Sequence, residues 1–232
     1  VDPTEPPQLK DGEVRVRVEY TGLQPLDGEM LACAGKFGDL KLPHVMGVEG
    51  AGTVLQSRNP AFKAGSRIAF LLRRFFDDES HGCWQSQLNL CPERALLIPV
   101  PMDVGLNEAA VCITSTVAAM ACLRNFNRGD TIVVTGACGA VGLSLLQLGA
   151  LRGFRVIGLV RGEERMAWLT QEISDCGSVA VIDMTDPGWM QIAMSVCGRG
   201  GMRPDAIDGG SGEEYGGADG VIDGVGGEAF TA

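Results

Sequence analysis

The sequence of 232 residues is poor in positive charge, in histidine and in aromatic side chains. It contains 19 lysine and arginine residues against 29 aspartate and glutamate residues, and its net charge is −10. Because this excess of negative charge repels a phosphate backbone, nucleic acid is excluded as the main partner. The sequence also lacks an uninterrupted apolar run of about 20 residues, the length that a spanning helix needs, so we predict no membrane span.

Cysteine is present, but not at the spacings that bind metal ions. The eight cysteines are at positions 33, 83, 91, 112, 122, 138, 176 and 197. Because no two are three residues apart and none lies at ligand spacing from a histidine, a zinc finger or a redox Cys-x-x-Cys motif is excluded. The pattern predicts reduced, mostly buried thiols, which are typical of the cytoplasm. A mitochondrial location stays open, because the first residue is Val1 and a preceding targeting segment is not visible.

Two sequence patterns divide the chain into predicted domains at 1–106 and 107–232. The first alternates apolar and polar residues or has short apolar runs between glycines and prolines, which predicts a compact, barrel-like β domain. Its predicted strands are 13–20, 50–55, 67–72, 84–90 and 95–100. The second alternates short β-branched runs with helical segments, which predicts an α/β domain with a doubly wound parallel sheet.

The second domain has few residues after its last predicted strand, so we expect its parallel sheet to be incomplete. Its predicted strands are 131–134, 155–160, 179–182 and 220–223. Helices are predicted at 107–123, at 163–174 and at 189–197, and a further helix is predicted between the first and second of these strands. The helix after the first strand has apolar residues at Val141, Leu145, Leu148 and Leu151.

A glycine-rich turn connects that first strand to its helix. Its glycines are Gly136, Gly139 and Gly142. The first permits a tight turn, the second lets the backbone approach a pyrophosphate, and the third lets the helix pack close to the sheet. An anion would then lie at the helix N-terminus, where unpaired N–H groups converge. We therefore predict a dinucleotide site at this turn. The other residues of the site are Ala137, Cys138, Ala140 and Val141. The alternative is a turn with a purely structural role.

The end of the next strand selects the dinucleotide. A carboxylate there would bind the ribose 2′-hydroxyl of NAD, but the residue in this sequence is Arg161, 25 positions after Gly136. A guanidinium can pair with the 2′-phosphate of NADP, and Arg165 can assist it. NADPH is therefore the predicted cofactor. The alternative is a solvated Arg161, with Glu163 or Glu164 in the carboxylate role.

Five segments in this order resemble the medium-chain dehydrogenase/reductase superfamily, whose members join a GroES-like β domain to a Rossmann domain. The segments are GLQPLD at 22–27, PHVMGVEGAG at 43–52, FKAGSRI at 62–68, EAA at 108–110 and VIDGVGG at 221–227. The resemblance implies that Val225 and Gly226, in the loop after the fourth Rossmann strand, contact the cofactor. It also implies that Thr116 faces the nicotinamide. A homodimer is left open.

Zinc-dependent members of that superfamily have a cysteine at the position of Gln24 and a histidine at the position of Val48. Neither residue here is a ligand that Zn²⁺ prefers, so the resemblance is to a zinc-independent branch with no metal. Family members commonly have a tyrosine at the position of Phe37, which lacks a hydroxyl. Gln24 keeps an amide that can bind a carbonyl or the nicotinamide. For Glu49, a buried hydrogen-bonding residue and a catalytic base are both open.

The resemblance implies an NADPH-dependent, zinc-free oxidoreductase. Its expected reaction is hydride transfer to quinones or α,β-unsaturated carbonyl compounds, with Gln24, Thr116 and Phe37 as the candidate catalytic positions. An enoyl thioester reductase is the alternative within the same class, and the segment GCWQ at 82–85 favours it mildly. An alternative of another class is a cofactor-binding protein with reduced catalysis and a structural or sensory role.

Overall fold

The computed structural model describes residues 7–32, 44–73, 82–197 and 217–226. The chain divides into two compact units, Val1–Thr114 and Ser115–Ala232. This division lies inside a long helix, Leu106–Cys122, rather than at its start. The sequence-based boundary between residues 106 and 107 stays a prediction.

The first unit contains a five-stranded antiparallel sheet. Its strands are β1 (Val14–Thr21), β2 (Glu49–Ser57), β3 (Arg67–Leu72), β4 (Gln87–Leu90) and β5 (Ala95–Pro99), in the spatial order β4-β1-β2-β3-β5. Val14 and Val16 on β1 are fully buried, whereas Arg17, the next residue along the strand, is exposed. This is the result expected from a period-two pattern, because successive side chains point to opposite faces of a sheet.

Two helices complete the first unit and lead into the second. The short helix α1 (Pro25–Ala32) was not predicted, although Pro25 at its first position is a common start signal. The helix α2 (Leu106–Cys122) continues as a 3₁₀ turn, Leu123–Asn125. Ala110 and Ile113 on α2 belong to an apolar cluster with Ala51 of β2, so the start of α2 covers this sheet.

The second unit contains four parallel strands in the order β8-β7-β6-β9. Its elements are β6 (Thr131–Val134), α3 (Ala140–Leu151), β7 (Arg155–Val160), α4 (Glu163–Glu172), β8 (Val179–Asp183), α5 (Trp189–Cys197) and β9 (Gly220–Ile222). This is the strand order 3-2-1-4 of a doubly wound sheet, in which the fourth strand pairs with the first. The predicted fold class is therefore confirmed.

Helix α3 buries a different face from the one that its largest apolar residues suggest. Leu145 is buried as expected, but Leu151 is 82% exposed and Val141 is 38% exposed. The buried positions are Gly142, Leu145, Leu146 and Gly149. Two of these are glycines because the helix lies against its neighbours with almost no space for a side chain.

One helical segment among the described residues, Leu106–Asn125, is long and apolar enough to cross a membrane by length and composition alone. Core helices of globular proteins pass the same test, so the result is weak evidence for a span. The segment carries buried residues of both units, such as Ile113 and Leu123. The expectation of no membrane span stays a prediction.

Candidate functional site

The glycine-rich turn lies where β6 ends and α3 begins, at the carboxyl edge of the parallel sheet. Gly136 has a φ of +62°, a value that favours glycine. The N–H of Gly139 donates to the carbonyl oxygen of Gly136 at 2.9 Å and closes the turn. The tight turn predicted at Gly136 is therefore present, and its backbone conformation is one that favours glycine.

The third glycine has a different role from the one predicted. A Cβ added to Gly142 would lie 2.7 Å from the Cα of Ala137, so this part of α3 packs on the turn and not on the sheet. The close approach between helix and sheet is made instead by Gly149 of α3, where a Cβ would lie 2.6 Å from Cγ2 of Val156, and by Gly158 of β7. A Cβ added there would lie 3.1 Å from Ala137 Cβ and 3.2 Å from Leu146 Cδ2.

The N-terminus of α3 fits an anionic group. Its N-cap residue is Gly139, and no side chain caps it. The first N–H groups of a helix have no intrahelical acceptor, so without a capping side chain they are available to a ligand. Gly139 is exposed, and a Cβ on it would meet only the carbonyl oxygen of Gly136, at 3.2 Å. A pyrophosphate therefore fits the donors that this turn presents.

Arg165 lies beside this turn. The Sγ of Cys138 is 3.9 Å from the carbonyl oxygen of Arg165, on the first turns of α4. Burial raises the pKa of the Cys138 thiol, and the charge of Arg165 opposes this rise. Arg161 is exposed and has no hydrogen bond or ion pair to the described residues. Its guanidinium is thus accessible to a ligand from the end of β7.

A carboxylate that the sequence analysis missed contacts the backbone of the residue after Arg161. The Oδ1 of Asp183, at the end of β8, accepts a hydrogen bond from the N–H of Gly162 at 2.8 Å. The N–H groups of Thr185 and Gly162 hold the pKa of Asp183 below its ordinary value. Glu163 and Glu164 are exposed on the first turn of α4. The end of β7 therefore has both an arginine and carboxylates around it.

The loop after β9 also meets the glycine-rich turn. A Cβ on Gly136 would lie 3.2 Å from Cγ2 of Val225, so these two predicted cofactor-binding segments are neighbours. The N–H groups of Val225 and Gly226 donate to the carboxylate of Asp223 at 3.0 and 2.9 Å. The Asp223 carboxylate also accepts a hydrogen bond from the hydroxyl of Thr135. These two N–H groups already have an acceptor, so Val225 or Gly226 would contact a cofactor through other atoms.

In the first unit, Gln24 is bound to a buried carboxylate. Glu49, the first residue of β2, is completely buried, and one of its carboxylate oxygens accepts a hydrogen bond from the side-chain amide of Gln24. The other oxygen accepts the N–H of Thr114 at 2.8 Å. Of the two interpretations of Glu49, this geometry favours the buried hydrogen-bonding residue.

The remaining candidate positions are distributed over the chain. Thr116 is half-buried on the part of α2 that belongs to the second unit, whereas Gln24 belongs to the first. Phe37 lies outside the described residues. Among the residues that the structure describes, no group of three or more His, Cys, Asp or Glu side chains could hold a metal ion.

Comparison with known families identifies the class of protein. The model of the alcohol dehydrogenase GroES-like domain matches residues 10–162, which is more than half of the chain. The chain therefore belongs to this family, within the zinc-independent branch of the medium-chain dehydrogenase/reductase superfamily. The resemblance drawn from five short segments of the sequence is confirmed.

Individual relatives are distant in sequence. The chain is 30% identical over 183 residues to an acryloyl-coenzyme A reductase of Metallosphaera sedula, covering 68% of this chain and 54% of the relative. It is 32% identical over 184 residues to a quinone oxidoreductase-like protein 2 homolog of Nematostella vectensis, covering 76% of this chain and 46% of the relative. The chain thus spans about half the length of these relatives.

Among solved structures, the fold is similar to that of an alcohol dehydrogenase superfamily protein from Novosphingobium aromaticivorans. The TM-score is 0.75 at 22% sequence identity, and the match covers 97% of this chain and 62% of the other. At this identity the similarity supports the fold.

Proposed function

We propose that this protein is an NADPH-dependent, zinc-free oxidoreductase that reduces quinones or α,β-unsaturated carbonyl compounds by hydride transfer. The observation that carries the proposal is the uncapped N-terminus of α3 directly after the turn at Gly136. A helix start of this kind, at the carboxyl edge of a parallel sheet, is the usual place for a dinucleotide pyrophosphate. Family membership supports the same class of reaction.

The proposed cofactor site extends along the ends of β6, β7 and β9. The turn 136–142 holds the pyrophosphate, and the exposed guanidinium of Arg161 pairs with the 2′-phosphate. Arg165, whose backbone meets Cys138, adds positive charge beside the turn. The side chain of Val225, which is 61% exposed and lies against Gly136, offers an apolar surface to the bound molecule.

Hydride transfer places negative charge on an oxygen of the substrate, and the site has to stabilise that charge. When bound, the cofactor supplies the hydride to an electrophilic carbon, and negative charge develops on the conjugated oxygen. In this proposal Gln24 binds and orients a reacting group. Phe37 has no hydroxyl, so that side chain does not supply the proton that completes the reduction.

A second candidate within the same class is reduction of an enoyl thioester. The name of the Metallosphaera sedula relative, an acryloyl-coenzyme A reductase, favours it, whereas the name of the Nematostella vectensis relative favours a quinone. Both substrates present a carbon–carbon double bond conjugated to a carbonyl group. The chemistry that the site has to perform is therefore the same for both.

Oxidation of NADPH by a panel of acceptors tests the proposal. The panel is a simple quinone, an α,β-unsaturated ketone and a crotonyl thioester, each measured with NADPH and with NADH. We expect turnover of the quinone or the ketone with a preference for NADPH. Turnover of the thioester alone would assign the second candidate, and binding of NADPH without any turnover would favour a cofactor-binding protein with reduced catalysis. If calorimetry detects no binding of either coenzyme, the proposal is wrong.

A further inference from the structure

We infer that Glu49 is a positioning residue that holds the side-chain amide of Gln24 in one orientation and leaves its carbonyl oxygen to bind a ligand donor. This inference rests on the proposed function, because Gln24 acts on a ligand only if the protein binds one. The hydrogen bond between the Gln24 amide and the Glu49 carboxylate is its starting point.

The position of Glu49 is determined by its backbone as well as by its burial. Glu49 pairs with Leu71 across β2 and β3. Its carbonyl oxygen accepts the N–H of Gly22 at 3.1 Å and the thiol of Cys83 at 3.1 Å. Its side chain is 0% exposed. The carboxylate is therefore a fixed group in the interior and cannot turn to solvent.

Both oxygens of Glu49 act as acceptors. One faces the Gln24 amide nitrogen, and the other faces the N–H of Thr114 at 2.8 Å. A backbone N–H can only donate, and an amide nitrogen can only donate. A carboxylate is thus the side chain that satisfies both partners, because a glutamine in its place would present its own N–H₂ to one of these donors.

Gln24 is held at its backbone too. Its N–H donates to Oδ2 of Asp27 at 2.7 Å, and its carbonyl oxygen accepts the N–H of Asp27 at 3.0 Å. These two bonds close the turn that begins α1. A Cβ on Gly22 would lie 3.1 Å from both Cγ and Oε1 of Glu49. The glycine therefore leaves the carboxylate room beside the segment that carries Gln24.

These contacts decide the orientation of the Gln24 amide. If the amide were flipped, its carbonyl oxygen would face the Glu49 carboxylate, and two acceptors would repel each other. In the observed orientation the side-chain carbonyl oxygen, Oε1, has no hydrogen bond to the described residues, and Gln24 is only half-buried. The ligand group that fits this oxygen is a hydrogen-bond donor, such as the carboxamide N–H₂ of a nicotinamide. A substrate carbonyl, which is itself an acceptor, does not fit it.

A double-mutant cycle tests the inference. The variants are Glu49→Gln, Gln24→Met and the double variant, with Glu13→Gln as the matched control. The control carboxylate also accepts a backbone N–H, that of Lys10 at 2.8 Å, but it does so at the surface. We expect Glu49→Gln and Gln24→Met each to lower kcat/KM about tenfold, the equivalent of one hydrogen bond. The double variant should be no worse than Gln24→Met alone, and Glu13→Gln should not change the rate.

A purely structural Glu49 would give a different result. Its replacement would lower the free energy of unfolding, and its effect on the rate would add to that of Gln24→Met. Additive effects, or an unchanged rate in a folded Glu49→Gln, would overturn the inference.

If Glu49→Gln does not fold, or if no acceptor is turned over, the Gln24 side chain is followed by NMR in the wild-type protein. On addition of NADPH we expect the carbonyl carbon signal to shift, because its oxygen becomes an acceptor. The amide N–H₂ signal bound to Glu49 should change little. A shift confined to the amide nitrogen, or no shift in a protein that binds NADPH, would contradict the inference. Turnover by the wild-type protein is scored separately, so failure of the proposed function is distinguished from failure of this step.

Discussion

The hydroxyl of Thr135, directly after β6, donates a hydrogen bond to the carboxylate of Asp223, directly after β9. The same hydroxyl accepts the N–H of Gly224 at 3.0 Å. The bond joins the ends of two neighbouring parallel strands at the edge where the glycine-rich turn begins. Val225, two residues after Asp223, lies against Gly136, so the bond is next to the candidate cofactor site.

The first prediction concerns pH. The hydroxyl of Thr135, followed by the N–H groups of Val225 and Gly226, holds the pKa of Asp223 below its ordinary value of 3.8. Because the folded state lowers this pKa, Asp223 adds stability above its ordinary pKa, and this contribution is lost as the pH falls through the lowered pKa. We expect Asp223→Asn to lower Tm at neutral pH and the difference from wild type to shrink in acid.

Thermal melting of the wild type and of Asp223→Asn at a series of pH values measures this difference. The pKa of Asp183 is also lowered. Asp183 is present in both proteins, so its contribution to the pH dependence of Tm cancels in the difference. A difference in Tm that stays constant down to strongly acidic pH would show that the carboxylate of Asp223 does not stabilise the fold by its charge.

The second prediction concerns the hydroxyl. Thr135→Val keeps the shape of a side chain that is 5% exposed but removes both of its hydrogen bonds. We expect the free energy of unfolding to fall by about 1–2 kcal/mol, measured by urea denaturation. The matched control is Thr170→Val, whose exposed hydroxyl donates only to the carbonyl oxygen of Met166 on its own helix. Equal effects at the two positions would contradict the prediction.

The third prediction concerns Gly142. In Gly142→Ala the new methyl group would lie 2.7 Å from the Cα of Ala137 and would push the helix away from the turn. We expect a loss of about 1–3 kcal/mol in the free energy of unfolding, together with weaker NADPH binding. Gly28→Ala in α1, where a Cβ meets nothing within 4 Å, is the control. It should be neutral or stabilising by up to about 1 kcal/mol.

The fourth prediction concerns the choice of cofactor. Arg161→Ala should raise the Kd for NADPH about tenfold or more and leave the Kd for NADH nearly unchanged, because only NADPH has a 2′-phosphate for the guanidinium. Arg124→Ala, an exposed arginine in the segment that leads into β6, is the control. Calorimetric titration measures both affinities. A parallel loss of NADH binding would mean that Arg161 contacts another part of the coenzyme.

Much of the fold follows from local sequence patterns. The bounds predicted for β3, β6 and β7 are those of the structure, and so are those of α5. These segments are short apolar runs or a helix between clear glycine and proline signals, so the pattern of neighbouring residues predicts them well. The strand predicted at 84–90 is shorter, because β4 begins only at Gln87.

The helix α1 shows where local patterns were insufficient. Pro25 at its first position and Asp27, which bonds back to the N–H of Gln24, are both known start signals. Gly28 weakens the helical pattern in the middle of this short element. Burial of Met30 against Met46 and Val48 stabilises the helix, and those contacts come from another part of the chain.

The sequence by itself determined the succession of strands and of all helices except α1, the turn at Gly136 and the arginine after β7, because each depends on residues close together along the chain. Only the tertiary structure decided that the N–H groups of Val225 and Gly226 are bound by Asp223, and that the amide of Gln24 is bound by Glu49. Asp223 and its partner Thr135 are 88 residues apart, and Gln24 and Glu49 are 25 apart. No periodicity specifies such pairs, since they form only when the sheets bring distant donors and acceptors into contact away from water.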